Sequence, residues 1–266
     1  MRDTKRLPIV KIEEQQSRRV DDDVVMEEPL EIRVNGESLS VTMRTPGDDF
    51  DLAIGFLWTE QIINSREEIG TIAYCPDEDQ PELKNIVNVV LVDSAKRLEG
   101  SRRLWSNSSC GLCGKATLDA IRRLCRPITS DIVIREELLC SFPSRLREAQ
   151  VNFERTGGIH AAGLFDAYGS LLILREDIGR HNAVDKVLGS ALAEGLSMDK
   201  TILVVSGRLG FEIAQKAVVA GVPIVASVSA PSSLAVDLAT DFNMTAIGFL
   251  RGRSMNIYSH PERIKV

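Results

Sequence analysis

The sequence predicts an α/β protein in which a mixed sheet carries helices on both faces, with a smaller N-terminal α+β lobe. From about residue 156 onward, short runs rich in β-branched residues alternate with helical segments. Such alternation is typical of parallel or mixed sheets that are covered on both sides. Earlier in the chain, Asn35-Gly36 separates two runs of alternating polarity, which predicts a β-hairpin. The 266 residues, 44% of them hydrophobic, suffice for a large core and a lobe.

The composition divides the chain into three parts. Residues 1–27 are highly charged without a sustained period, which predicts a flexible, loosely ordered arm. Residues 28–105 are expected to form the smaller lobe, with the hairpin, a helix that Asp48 or Asp49 could cap, and a strand beginning at Ile86. Residues 106–266 are expected to form the α/β core.

The core should present a ligand-binding edge. In chain order we expect helices over 115–124 and 135–153 (interrupted near Pro143), strands over 161–166 and 170–175, a helix over 183–194, a strand over 202–206, a helix over 212–220, a strand over 224–228, a helix over 232–240 and a strand over 246–250. Ligands of such sheets bind beyond the carboxyl ends of the strands. Hydroxyls, backbone amides and guanidinium groups follow three of these ends, at 206–210, 229–233 and 251–254, which suits a phosphate-bearing ligand.

Charge and cysteine content exclude several classes of protein. The net charge of −6 gives no electrostatic case for a nucleic-acid partner. No apolar run is long enough to span a membrane and the polar start lacks a secretory core, so we expect a cytoplasmic protein without a membrane partner. Five cysteines are an odd number and too few for a disulfide-stapled domain, so most should be reduced thiols.

A Cys-x-x-Cys pair is the main candidate for chemistry. Cys110 and Cys113 flank Gly111 and precede a predicted helix, whose free amides, together with Lys115, would stabilise a thiolate. Sulfur transfer requires such an exposed thiolate, and Cys110 lies further from the helix, so we choose it as the persulfide carrier. Taken alone, the pair also fits half of a zinc site or a thioredoxin-like dithiol. The remaining cysteines, at 75, 125 and 140, have weaker claims, and Cys125 and Cys140 read as inert core thiols.

Histidines and basic residues cluster near predicted strand ends. His160 and His181 could line a sulfur-transfer cavity and move protons, although a hydrogen-bonded core histidine explains each equally well. An anionic ligand could be met by Arg180, Asn182 and Lys186. Further candidates for cofactor binding are Ser206, Arg208, Arg251 and Arg253, the last two flanking a glycine.

Six segments resemble the FdhD family of formate dehydrogenase accessory sulfurtransferases. They cover nearly everything after residue 28 and occur in order: GFLWTEQII at 55–63, SCGLCGK at 109–115, TGGIHAA at 156–162, EDIGRHNAVDK at 176–186, SGR at 206–208 and RSMNIY at 253–258. The resemblance implies that a cysteine desulfurase donates sulfur to Cys110. It also implies delivery to the molybdenum bis-guanine-dinucleotide cofactor before its insertion into the catalytic subunit of formate dehydrogenase, and a homodimer. By position, the family's cofactor-binding stretch is Phe249, Leu250, Arg251, Gly252, Arg253 and Ser254.

The family's core is similar to the cytidine deaminase fold, but deaminase chemistry is not expected. That reaction needs His-x-Glu followed by Pro-Cys-x-x-Cys. Here Ala161 and Ala162 follow His160, Ser109 precedes Cys110, and the cysteines come before the histidine. We expect no permanently bound metal. Two alternatives to sulfur transfer stay open: a cofactor-binding chaperone without sulfur chemistry, and a zinc-stabilised interaction module.

Overall fold

A computed structural model describes residues 3–75, 84–93 and 125–266. The strands are β1 (Thr4–Glu13), β2 (Gln16–Val25), β3 (Glu28–Val34), β4 (Glu37–Arg44), β5 (Ile69–Tyr74), β6 (Ile86–Leu91), β7 (Ile134–Arg135), β8 (His160–Asp166), β9 (Leu171–Asp177), β10 (Thr201–Val205), β11 (Ile224–Ser227), β12 (Thr245–Arg251), β13 (Ser254–Ile257) and β14 (Ile264–Lys265). The α-helices are α1 (Asp49–Thr59), α2 (Glu136–Cys140), α3 (Phe142–Ala149), α4 (Val151–Thr156), α5 (Arg180–Ala193), α6 (Phe211–Ala220) and α7 (Ser233–Asp241). The predicted helix over 115–124 lies outside the described residues.

The mixed α/β fold predicted from the sequence is confirmed. Six strands form a sheet in the order β13-β12-β11-β10-β8-β9, in which β10, β11 and β12 are parallel and the others antiparallel. Helices α5, α6 and α7 pack against one face, where Leu203, Val205 and Val225 point into the core. Helices α2 and α3 cover the other face through Leu139, Phe142 and Leu146.

In the described part of the N-terminal lobe, four strands form a sheet that one α-helix covers. Its strand order is β4-β3-β6-β5, and α1 packs its apolar side chains against this sheet. The β3–β4 hairpin turns at Asn35 and Gly36, whose φ values of 51° and 85° are those of the predicted two-residue turn. Asp48 precedes α1, but neither it nor Asp49 caps the helix, because Asp48 makes no side-chain cap and the Asp49 carboxylate pairs with Arg44.

Helices α1 and α5 hold the lobe against the core. A Cβ atom on Gly189 would overlap the backbone of Asp51 and Gly55, and one on Gly55 would overlap the carbonyl of Asp185. The two helices therefore approach too closely for any side chain at these glycines.

The N-terminal arm differs from its prediction. Residues 4–25 form an antiparallel hairpin of β1 and β2 instead of a loosely ordered segment. Its turn, Glu14-Gln15, adopts left-handed φ values of 48° and 67°. Neither residue type is a strong signal for such a turn, and apolar residues occur on both faces of the ribbon, so the period of two was hidden.

The segment predicted as a helix over 135–153, interrupted near Pro143, is three short helices. The breaks fall at Ser141 and Gln150, and Pro143 lies in the first turn of α3, where proline needs no hydrogen bond from its nitrogen. In the described ranges, no helix is both long and apolar enough to cross a membrane.

Candidate functional site

His160 lies where the carboxyl end of β10 meets the start of β8. The backbone N–H of Ala161 donates to Ser206 Oγ at 2.9 Å, and the N–H of Ser206 donates to the carbonyl of Ala161 at 2.9 Å. A Cβ on Gly207 would stand 3.4 Å from His160 Nδ1 and 3.6 Å from Arg180 Cβ. The fold thus brings together three of the residues predicted from the sequence, with Gly207 giving them room.

Helix α5 begins at this edge with two basic residues. His181 Nε2 lies 2.7 Å from Glu212 Oε2 in the first turn of α6, and this contact is the main cause that lowers the pKa of Glu212. The ring nitrogen is close but not aligned for a hydrogen bond, so we treat the contact as electrostatic. Among the described residues, the buried Nε of Arg180 has no hydrogen-bond partner. A buried donor without a partner favours an acceptor supplied by a ligand.

His160 is set up to be neutral near pH 7. Burial lowers its pKa, and the positive charges of Arg180 and His181 lower it further against a smaller opposing effect of Asp177. A neutral imidazole can accept a proton, which a transfer reaction could use.

A cleft of about 520 Å³ opens beside this histidine. Its lining includes His160, Ile178, Ser206, Val228 and the glycines at 157–158. The cleft is therefore at the sheet edge that the sequence predicted for a ligand.

The arginine-rich segment at the end of β12 lies along the same edge. Arg251 Nε donates to the carbonyl of Val228 at 2.6 Å, and the N–H of Phe249 donates to the carbonyl of Ser229 at 3.0 Å. Ser227 Oγ donates to the carbonyl of Gly207 at 2.6 Å. The end of β11 thus connects the arginine segment to the histidines.

The backbone of the arginine segment is unusual. Phe249 has a φ of 54° and Gly252 one of 55°, and the pairing of β12 with β13 shifts register between Gly248 and Arg251. A left-handed phenylalanine in a strand is strained, and such strain often accompanies ligand sites. The Arg251 guanidinium lies 6.0 Å from the Phe249 ring.

The predicted site residues differ in exposure. Arg208, Arg251, Gly252, Arg253 and Ser254 are exposed, whereas Leu250 is fully buried in the core under the sheet. Leu250 therefore positions its neighbours from below and has no surface of its own for a ligand.

Two residues predicted to meet an anionic ligand are internal. Lys186 is 1% exposed, and its Nζ lies 2.8 Å from Asp177 Oδ2 and donates to the carbonyl of Thr45 at 2.9 Å. Asn182 donates to Asp177 Oδ1 at 3.0 Å and to the carbonyl of Met43 at 2.7 Å. The prediction was wrong for both, because their polar groups are used to join β9 and α5 to the N-terminal lobe.

Cys110 and Cys113 lie outside the described residues. Of the others, Cys75, Cys125 and Cys140 are half-buried free thiols, and burial raises the pKa of Cys125 and of Cys140. Over 3–75, 84–93 and 125–266, no group of three or more His, Cys, Asp or Glu side chains could hold a metal ion.

Comparison with known proteins gives a family. Residues 25–265 match the model of the FdhD/NarQ family. The chain belongs to this family. A protein from Streptomyces avermitilis named sulfur carrier protein FdhD is 50% identical, with 98% of this chain and 95% of that protein covered. A protein of the same name from Mycolicibacterium paratuberculosis is 51% identical, with 91% of each covered.

A solved structure supports the fold of the family member. A crystal structure described as a formate dehydrogenase accessory protein from Desulfotalea psychrophila aligns with a TM-score of 0.80 and 27% identity, covering 98% of this chain and 99% of that one.

Sequence reasoning missed three residues of the site: Glu212, Gly207 and Ser227. Glu212 carried a signal only as an acidic residue in the first turn of a helix.

Proposed function

We propose that this protein is a sulfur carrier for formate dehydrogenase, with Cys110 as the carrier. In the proposed reaction, the Cys110 thiolate attacks the terminal sulfur of a persulfide on a cysteine desulfurase, and the desulfurase thiolate leaves. The observation that carries the proposal is the Cys110-Gly-Leu-Cys113 motif in a family member about half identical to proteins named sulfur carriers.

The acceptor that we propose is the molybdenum bis-guanine-dinucleotide cofactor, before its insertion into the catalytic subunit. Attack of the Cys113 thiolate on Cys110 Sγ would form a disulfide and release the outer sulfur as hydrosulfide, which the molybdenum of the acceptor would take up as a ligand. Two thiols are oxidised in this step and the sulfur is reduced, so a thiol reductant must then restore the pair.

The sheet edge supports binding of this acceptor. The proposed contacts are the exposed Arg251, Arg253 and Ser254 at one end and Arg180 with the histidines at the other. Guanidinium groups and free backbone amides bind the phosphates of a dinucleotide well. A homodimer in the cytoplasm, no nucleic-acid partner, and a core like that of cytidine deaminases belong to the same proposal.

A second candidate is a chaperone that binds the cofactor without sulfur chemistry, because the arginine-rich strand ends would suffice for it. In intact-protein mass spectrometry after incubation with a cysteine desulfurase and cysteine, sulfur transfer predicts a reductant-sensitive gain of about one sulfur atom that is absent in Cys110→Ala. The chaperone predicts no gain, cysteines that are dispensable in cells, and loss of formate dehydrogenase activity in Arg251→Ala. Metal analysis separates both from a zinc module, which would hold about one zinc per chain.

A further inference from the structure

The β1–β2 hairpin is a two-stranded ribbon with little covering from the described parts of the chain. Val10 is 60% exposed and Ile12 is 72% exposed. Contacts with the body are at its base, where Arg155 donates to Thr4 Oγ1 at 2.6 Å and lies 3.4 Å from Asp23. The match to the family model begins at residue 25, so nearly all of the ribbon precedes it.

The two edges of the ribbon differ in their ability to pair. The two-residue turn makes Glu13 and Gln16 a hydrogen-bonded pair, so odd residues of β1 and even residues of β2 bond across the ribbon. The backbone N–H and C=O groups of even-numbered residues of β1 and odd-numbered residues of β2 point away from the ribbon, toward its two edges. Pro8 falls on the outward set of β1 and has no N–H, which blocks that edge. The outward N–H groups of Arg19 and Asp21 leave the β2 edge able to pair.

Charged residues of opposite sign lie on the two sides of Val20 in β2. Arg18 and Arg19 precede it, and Asp21 and Asp22 follow it. We propose that β2 pairs antiparallel with β2 of a second copy of this chain about a two-fold axis at Val20. Arg19 then lies opposite the partner's Asp21, and Arg18 opposite the partner's Asp22. Each of these pairs joins a positive side chain to a negative one.

The same register satisfies the backbone. Arg19 and Asp21 are both odd, so each Arg19–Asp21 pair places outward N–H and C=O groups opposite one another and exchanges both hydrogen bonds. Val20 meets the partner's Val20 as a non-hydrogen-bonded pair, in which side chains approach most closely. If the register shifted by one residue, backbone groups that already bond within the ribbon would lie opposite outward-facing groups of the second copy. The two β2 strands could then not exchange hydrogen bonds.

The pairing also extends an apolar row. Ile9 is opposite Val20 within the ribbon, and both are half-buried on the same face. In the four-stranded sheet the row becomes Ile9, Val20, and the same two residues of the second copy. Charged pairs flank this row on both sides, which fixes the register.

Internal ion pairs do not prevent this arrangement. Arg18 contacts Glu13 at 2.8 Å and Arg6 lies 3.5 Å from Asp21, but all four side chains are more than half exposed, so these contacts contribute little and can be shared. Arg19 and Asp22 have no salt bridge to any described residue. The pairing is limited to about residues 18–22, because Asp23 is next to Arg155.

A charge-swap experiment on the full chain tests the proposal. Arg18→Asp/Arg19→Asp makes every charged residue of the paired segment 18–22 acidic and Asp21→Arg/Asp22→Arg makes every one basic, so each variant should associate with itself about tenfold or more weakly than the wild type. An equimolar mixture restores opposite charges in every row and should form a heterodimer, seen by sedimentation velocity over a range of concentrations. A wild type that stays monomeric, variants that associate as the wild type does, or a mixture that does not associate would each overturn the proposal.

Cross-linking gives a second measurement. The Cα atoms of a non-hydrogen-bonded pair are about 4.5 Å apart, within the range of a disulfide, so Val20→Cys should oxidise to a covalent dimer. Ile12→Cys is the matched control, since it is more exposed but far from the axis. The native cysteines are common to both variants. Equal dimer yields from the two variants would contradict the register.

Discussion

Replacement of Lys186 by methionine should destabilise the protein more than any exposed lysine change. Lys186 and Asp177 are 1% and 0% exposed, and their side chains are 2.8 Å apart. Removing one partner of a buried ion pair costs about 3–5 kcal/mol, because the other charge stays buried. Asp177 would still accept hydrogen bonds from the N–H of Thr45 and Gly179 and from Asn182, which keeps the cost at about 3 kcal/mol. A loss of this size lowers the melting temperature by roughly 6–10 °C in a protein of this length.

Chemical denaturation measures the loss, with Lys200→Met as the matched control. Lys200 lies 4.0 Å from Asp131 and both side chains are largely exposed, so its loss should change the free energy of unfolding by less than about 0.5 kcal/mol. Circular dichroism at 25 °C would establish that both variants are folded before the titration. If Lys186→Met unfolded at the same denaturant concentration as Lys200→Met, the reasoning about the buried pair would be refuted.

Three further predictions concern the helix contact and the histidines. Gly189→Ala should lower the free energy of unfolding by about 1–3 kcal/mol in denaturant titrations, because its Cβ would overlap α1, whereas Gly158→Ala, exposed and with no atom closer than 3.8 Å to the added Cβ, should not. Glu212→Gln removes the charge that faces His181, a partly exposed contact worth about 0.2–1 kcal/mol, and should reduce formate dehydrogenase activity in cells by up to about fivefold; Glu148→Gln, on the surface, is its control. Because burial lowers the pKa of His160 below its usual 6.5, its contribution to stability is complete above that value and is lost as the pH falls through the folded pKa. The denaturation midpoint should therefore fall more for the wild type than for His160→Gln between about pH 7.5 and 5.5, and equal falls would refute the assignment.

Local sequence patterns predicted those parts of the fold in which the polarity of each residue follows its burial. The β3–β4 hairpin was found because Asn35-Gly36 favours its turn and one face of β3 is buried. The β1–β2 ribbon was missed because both of its faces meet solvent, so no alternation in polarity was required.

The site was predicted only in part, because local sequence patterns do not report contacts that form when helices and strands pack together. His160, His181 and Arg180 stood out by residue type, but Glu212 becomes a partner of His181 only through the packing of α5 against α6. Lys186 was misassigned because residue type alone does not distinguish a buried, paired lysine from a lysine that faces a ligand. Burial of the Lys186 charge depends on contacts with Asp177 and with Thr45, which is remote in sequence, and no local pattern reports it.

The contact between α5 and α6 explains how His181 is held in place. One turn after His181, Asp185 lies 2.9 Å from Lys216, which in turn is one turn after Glu212. Burial works against the charge on Lys216, but Asp185 and Glu60 outweigh it and raise its pKa, so the lysine stays cationic. The buried pair therefore fixes the spacing and rotation of the two helices, and the exposed end of the same interface places the histidine against Glu212. Thr59 extends this arrangement to α1 by donating to Asp185 and accepting from Lys216, so the N-terminal lobe supports the edge where the cofactor is proposed to bind.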